Sequence, residues 1–233
     1  GINDCDSNWG TGAINENGTS TNDANNRGPQ KGCAVPILPL QASKAAAKAK
    51  ISTMQPWNGG GTNIPVGLAW GWRVLSPNYR GLWQAPAAAS QPIDYNTPLV
   101  DKVVVLLSDG ANTALEGEFP GCDGTTRNGY SCSPQESEYT AYGRISSGGW
   151  NGATTLTTAK AQSDLRVTAM CSAMKAKNII IYTIMLEESE PAINQIFKDC
   201  ATKPEYYFQA SSGNLNSIFQ KIANQLSNLR LSQ

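Results

Sequence analysis

The sequence predicts an α/β fold: an open, mostly parallel sheet with helices packed against its faces. Three observations predict it. The apolar runs Val103–Leu107 and Ile179–Leu186 are rich in β-branched residues and too short for ordinary helices, so they read as strands. Segments whose apolar residues recur at helical spacing, at 154–177 and 215–229, lie between and after them. Strands alternating with helices of these lengths are the pattern of parallel strands joined by right-handed crossovers. No internal repeat is present.

Residues 1–32 are dominated by Gly, Asn, Asp, Ser and Thr and have neither helical nor strand period, which predicts an extended surface segment. The Ala- and Lys-rich stretch from Gln41 to Met54 is a helix by propensity, ended by Pro56 and the glycines at 59–61. Thr62 and Asn63 then precede a second helix opened by Ile64 and Pro65, with Ile64, Leu68, Trp72 and Leu75 on one face. Asn63 suits its cap and Pro65 its first turn. Thr62 thus lies on a glycine-rich loop at a helix N-terminus, where amides and the dipole favour an anion or a metal-bound carboxylate; the alternative is that it only helps the cap.

Residues 78–98 form a Pro- and Ala-rich connection. The strand at 103–107 reads as buried on both faces, and it ends at Ser108-Asp109-Gly110. Open α/β sheets gather ligands beyond the carboxyl ends of their strands, which makes Asp109 the first candidate for chemistry. The alternative is an Asx-type turn with Gly110 or Asn112. Residues 114–153 are irregular, long for a loop inside a domain, and predict a disulfide-tied surface insertion whose aromatics either pack onto the body or meet a partner. The helix at 154–177 carries Val167, Met170, Cys171 and Met174 on one face and ends at Asn178. A short helix begins around Ser189 and Pro191, a third strand covers 205–209, and the last helix carries Leu215, Ile218, Phe219, Ile222, Leu226 and Leu229 on one stripe.

Composition narrows the chemistry. The 233 residues fit one domain or one domain with long insertions, and 18 basic residues balance 18 acidic ones, so no field favours nucleic acid or an anionic membrane. The longest apolar stretches fall far short of the roughly 20 residues that cross a bilayer. The chain has no histidine, which removes Ser-His-Asp, Cys-His and histidine-ligated zinc chemistry, and it has no phosphate-binding glycine loop. Six cysteines fall into local pairs, Cys5 with Cys33, Cys122 with Cys132, and Cys171 with Cys200, and none forms a zinc-type repeat. Disulfides and an oxidising compartment are expected, with the connectivity open.

Gly61-Thr62 before a helix, KVVVLLSDGANT, IIIYTIML, and YYFQAS leading into an amphipathic helix together resemble the later part of a von Willebrand factor A-type domain. More narrowly, GGGTNIPVGLAWGWRVLSP, CSAMKAKNIIIYTI, CATKPEYYFQASSGNLNSIFQKIA and the terminal LRLS are similar to the C-terminal region of TadG-like proteins of tight-adherence (Flp) pilus systems. The likeness spans most of residues 33–233. It implies a von Willebrand A-like, Rossmann-type sheet in which Thr62 and Asp109 match two of the three loops that hold one divalent cation, usually Mg²⁺. The first loop's D-x-S-x-S set does not occur in the sequence, and in the family it follows a strand N-terminal to everything here. The resemblance therefore implies a C-terminal portion lacking its N-terminal strands, either completed by a separate N-terminal fragment or with that half replaced by something unlike the family. It further implies a non-enzymatic, extracytoplasmic domain acting in pilus assembly or surface adhesion, with pilus subunits or other assembly proteins as partners. The alternatives are a structural envelope component without metal-dependent binding and, third, a metal-assisted hydrolase using Asp109.

Overall fold

The computed structural model describes residues 35–54, 62–83, 90–113, 126–127, 130–131, 141–143, 145 and 150–231. Among the described residues, five α-helices and five strands lie in this order: α1 (Lys44–Ser52), α2 (Ile64–Leu75), β1 (Val103–Ser108), β2 (Thr126–Arg127), β3 (Tyr130–Ser131), α3 (Leu156–Lys175), β4 (Ile180–Leu186), α4 (Pro191–Cys200), β5 (Tyr207–Ala210) and α5 (Leu215–Leu231). The chain divides into two compact units. One contains α1 and residues from Thr113 to Gln162; the other contains Thr62–Asn112 and Ser163–Gln233.

The second unit is the predicted α/β sheet. Its three strands run parallel in the order β1-β4-β5, with Val103 opposite Ile180 and Thr183 opposite Tyr207. β4 is buried along almost its whole length because both of its faces are covered. Ile181 and Met185 join Ile64 and Leu68 of α2, Val167, Cys171 and Met174 of α3, and Ile193, Phe197 and Cys200 of α4 in one cluster. Tyr182 and Ile184 meet Phe208 of β5 and Ile218 and Ile222 of α5 on the other face. This two-sided packing is the strand period of two at work, since successive side chains point to opposite faces.

The helix ends follow from the residues at them. Ser43 caps α1, its Oγ accepting from the Ala46 N–H at 3.2 Å. Asn63 caps α2, its Oδ1 accepting from the Val66 N–H at 3.4 Å. At the end of α3, Asn178 takes φ +57°, its N–H bonds to Lys175 O, and the next N–H, of Ile179, bonds back to Met174 O. That is a Schellman ending with asparagine in the left-handed position, and it turns the chain directly into β4.

Three sequence expectations are corrected. β1 is not buried on both faces: Val105 and Leu107 are 39% and 40% exposed, while Val104 and Leu106 on the opposite face are partly buried against the α2–α3–α4 cluster. Among the described residues β1 is an edge strand and β4 is central, and the cluster that α5 forms with β4 and β5 reaches only Val103 of β1. An apolar sequence states that both faces need cover; it does not supply the cover. Phe219, assigned to the buried stripe of α5, is 43% exposed, because the stripe is narrower than the sequence pattern and runs through Leu215, Ile218, Ile222 and Leu226. The insertion is not wholly irregular, since β2 and β3 pair as a short antiparallel ladder.

In the first unit, Trp150 is fully buried with Ile145, Ala153 and Ala159 and donates its Nε1–H to Gly143 O at 3.0 Å, with Tyr142 edge-on to its ring. No helix among the described residues is long and apolar enough to cross a membrane.

Candidate functional site

The loop after β1 and the entry to α2 meet at the carboxyl edge of the sheet. Thr62 is half-buried just ahead of the Asn63 cap, and Asp109 is exposed just past Ser108, the last residue of β1. A Cβ placed on Gly110 would lie 3.6 Å from Thr62 Oγ1. Two residues separated by almost fifty positions in sequence are thereby neighbours, because β1 lies beside α2 with the helix N-terminus at the strand's carboxyl end. Ser108 shapes the turn, its hydroxyl donating to Gly110 O at 2.8 Å.

Sequence reasoning missed the residue that joins these loops. Asn112 is fully buried. Its Oδ1 accepts from the Ile64 N–H at 2.9 Å, and its Nδ2 donates to Asp164 Oδ1 on α3 at 2.8 Å. The first bond satisfies one of the amides left without an intrahelical partner at the start of α2. The signal available in the sequence was a polar residue closely following a strand end, and that pattern reads equally well as a turn.

The donors present suit a hard cation in kind. A hydroxyl and a carboxylate are oxygen ligands, and Mg²⁺ retains several waters around one or two such groups. No cluster of three or more acidic or cysteine side chains with metal-holding geometry occurs among the described residues, so Thr62 and Asp109 make a partial donor set. Acidic side chains of the neighbouring strand end are otherwise engaged. Glu187 accepts from the Ser212 N–H at 2.9 Å, which holds its carboxyl below the usual range, and Glu188 Oε1 accepts from the Glu190 N–H.

A cavity of about 170 Å³ opens at the other, amino end of β1, between residues 96–102 and Lys177–Asn178. It does not touch Thr62 or Asp109. Lys102 on its wall is buried and donates to Leu75 O at 2.7 Å and to Ile93 O at 2.8 Å, so the ammonium serves as a structural clamp there.

Of the three cysteine pairs, Cys171 of α3 and Cys200 of α4 are bonded, with Cα atoms 5.1 Å apart and both residues buried. Cys5, Cys33, Cys122 and Cys132 lie outside the described residues.

No protein-family model matches the chain, and neither does any curated protein. Among solved structures it is similar to the von Willebrand factor domain of the type V pilus tip protein Mfa5 from Porphyromonas gingivalis, at 17% identity over 77% of this chain and 71% of that one, with a TM-score of 0.43. At that score the likeness adds nothing to the geometry, which stands on Thr62, Gly110 and Asn112 themselves.

Proposed function

We propose that this chain forms a non-enzymatic A-type binding domain, acting through protein–protein contact in tight-adherence pilus assembly or surface adhesion. A divalent cation, Mg²⁺ first among them, would be held at the carboxyl edge of the sheet by Thr62 and Asp109. The observation that carries the reading is the approach of Thr62 Oγ1 to Gly110, which joins the two loops that the sequence resemblance matches to cation ligands. When bound, the cation offers an open coordination position to a carboxylate oxygen of a partner. The chain's own contribution is to bring the loop that carries the Thr62 hydroxyl against the loop that carries the Asp109 carboxylate. The pilus assignment rests on the longer sequence motifs, GGGTNIPVGLAWGWRVLSP above all. The extracytoplasmic assignment is supported by the Cys171–Cys200 disulfide, since such bonds persist in oxidising compartments.

The partner in this reading includes a strand from outside residues 1–233, paired to the edge that β1 presents among the described residues. Val105 and Leu107 support it, being exposed on a strand that carries no charge and no proline to guard its edge. Comparing residues 1–233 expressed alone with the natively isolated protein, by gel filtration and thermal melting, tests this part. A second polypeptide is expected in the native material; a monomer of identical melting behaviour with no companion refutes it.

Cation binding is tested by calorimetric titration with Mn²⁺ and Mg²⁺. One saturable site is expected in the wild type, weakened in Thr62→Ala and lost in Asp109→Ala. A wild type that takes up no cation would instead favour a structural envelope component that keeps the fold without the metal.

A further inference from the structure

Asn112 stands three residues beyond Asp109 and is 0% exposed. Its amide orientation is fixed by its partners, because the Ile64 N–H at 2.9 Å can only donate and the Asp164 carboxylate at 2.8 Å accepts. One side chain therefore ties three elements. It belongs to the loop that carries Asp109, it grips the first residue of α2 two positions after Thr62, and it is anchored on α3. Buried hydrogen-bonded amides of this kind are held rigidly, since any of their polar atoms left unpaired would lose its water without gaining a partner.

We propose that Asn112 is the positioning residue that sets the spacing of the Thr62 and Asp109 loops, with Asp164 as its anchor, and that the cation affinity follows from this spacing. The cation half of the inference rests on the function proposed above. Neither of the replacements closest to it in shape serves as well at this position. Aspartate keeps the acceptor for Ile64 but turns an oxygen toward the Asp164 carboxylate, and leucine strands the Ile64 N–H. Asn112 does not itself touch the candidate cation, so its effect runs through geometry.

The test exploits opposite expectations for charge and for geometry. Asn112→Asp adds a carboxylate near the candidate site, which by electrostatics alone strengthens cation binding. If the residue acts by position, Mn²⁺ binding instead weakens, by about 10–100-fold as for other partners that orient metal ligands. Combining Asn112→Asp with Asp164→Asn reverses donor and acceptor across the same bond and leaves the Ile64 bond in place, so affinity is expected to recover. Thermal melting of Asn112→Asp is followed alongside, and a cooperative transition like that of the wild type is expected, which separates a loss of binding through spacing from one through misfolding. Undiminished Mn²⁺ binding by Asn112→Asp overturns the inference.

A metal-free readout runs beside it. In a Thr62→Cys, Gly110→Cys background the two side chains lie within disulfide reach, so the yield of that bond on oxidation, located by peptide mapping, reports the loop spacing. The yield is expected to fall with Asn112→Asp and to return with the exchanged pair. A yield indifferent to residue 112 overturns the inference as well. If the wild type binds no Mn²⁺ while the cross-link behaves as expected, the cation reading fails and the positioning role stands.

Discussion

Single side chains decide how the amino end of the sheet is held. Lys102 enters β1 with its ammonium inside the protein, bonded to the last carbonyl of α2 and to Ile93 O, and 5.4 Å from the Tyr95 ring centroid. Lys102→Met keeps the apolar stem but leaves both carbonyls short of a donor, and is expected to cost about 1–3 kcal/mol in denaturant unfolding. Burial, and after it the neighbouring Arg80, lower the Lys102 pKa, with Asp94 partly opposing. The sign for stability follows from proton counts. Between that lowered value and the ordinary lysine value of about 10.4, the unfolded chain holds a proton that the folded one has released, so stability gains from this group as pH rises through the window. Melting curves in that alkaline range are expected to show a more positive pH slope in the wild type than in Lys102→Met. Equal slopes would mean that Lys102 titrates alike in both states.

At the scale of elements, the turn from α3 into β4 and the bond between α3 and α4 hold the cluster on one face of the sheet. Asn178 occupies a left-handed backbone position and donates its Nδ2–H to Asn96 Oδ1 at 2.8 Å. Asn178→Ala is expected to lose about 1–2 kcal/mol, because alanine keeps a Cβ in that conformation but lacks the short polar side chain whose local hydrogen bonding lets asparagine tolerate it. Asn178→Gly should lose less, because glycine is at ease there and forfeits only the exposed side-chain bond. Equal losses in the two variants would show that the side-chain bond, not the backbone, matters. The Cys171–Cys200 disulfide joins residues at a sequence separation of 29, and the loop it closes includes all of β4. Replacing both cysteines by serine is expected to cost about 2–4 kcal/mol, most of it through the freed unfolded chain. A change in melting temperature too small to measure would argue that packing by Met174, Phe197 and Ile193 suffices without the bond.

For the whole second unit, the consequential feature is asymmetry. The α2–α3–α4 cluster extends across to β1 through Val104 and Leu106, while on the opposite face α5 packs over β4 and β5 and leaves Val105 and Leu107 at the surface. Replacing Val105 and Leu107 together by threonine is expected to change the stability of isolated 1–233 by no more than about 0.5 kcal/mol each, the range for exposed sites. Val104→Ala and Leu106→Ala should cost more, since their side chains pack against the cluster. If the proposed partner strand is real, the threonine pair also weakens its co-purification, whereas a large loss of stability in the isolated chain would show that the exposed face is covered in solution by this chain itself.

Much of the fold was legible in the residues. The runs at 103–107 and 179–186, the Asn63 cap and the break at Asn178 depend on local chemistry: branched side chains favour strands, and asparagine suits both a helix cap and the left-handed turn. The pairing of Cys171 with Cys200 was expected from their spacing, but the sequence left the connectivity open. Thr62 and Asp109 were legible as candidates through their motifs, and their loops are brought together. What only the tertiary structure decided is which faces are covered and which polar groups are satisfied across distance. Val105 and Leu107 read as core because an apolar strand cannot announce whether a neighbour is there to bury it. Asn112 read as a turn residue because its partners, Ile64 and Asp164, lie 48 positions before it and 52 after it, and a hydrogen bond at that separation exists only once the chain has folded.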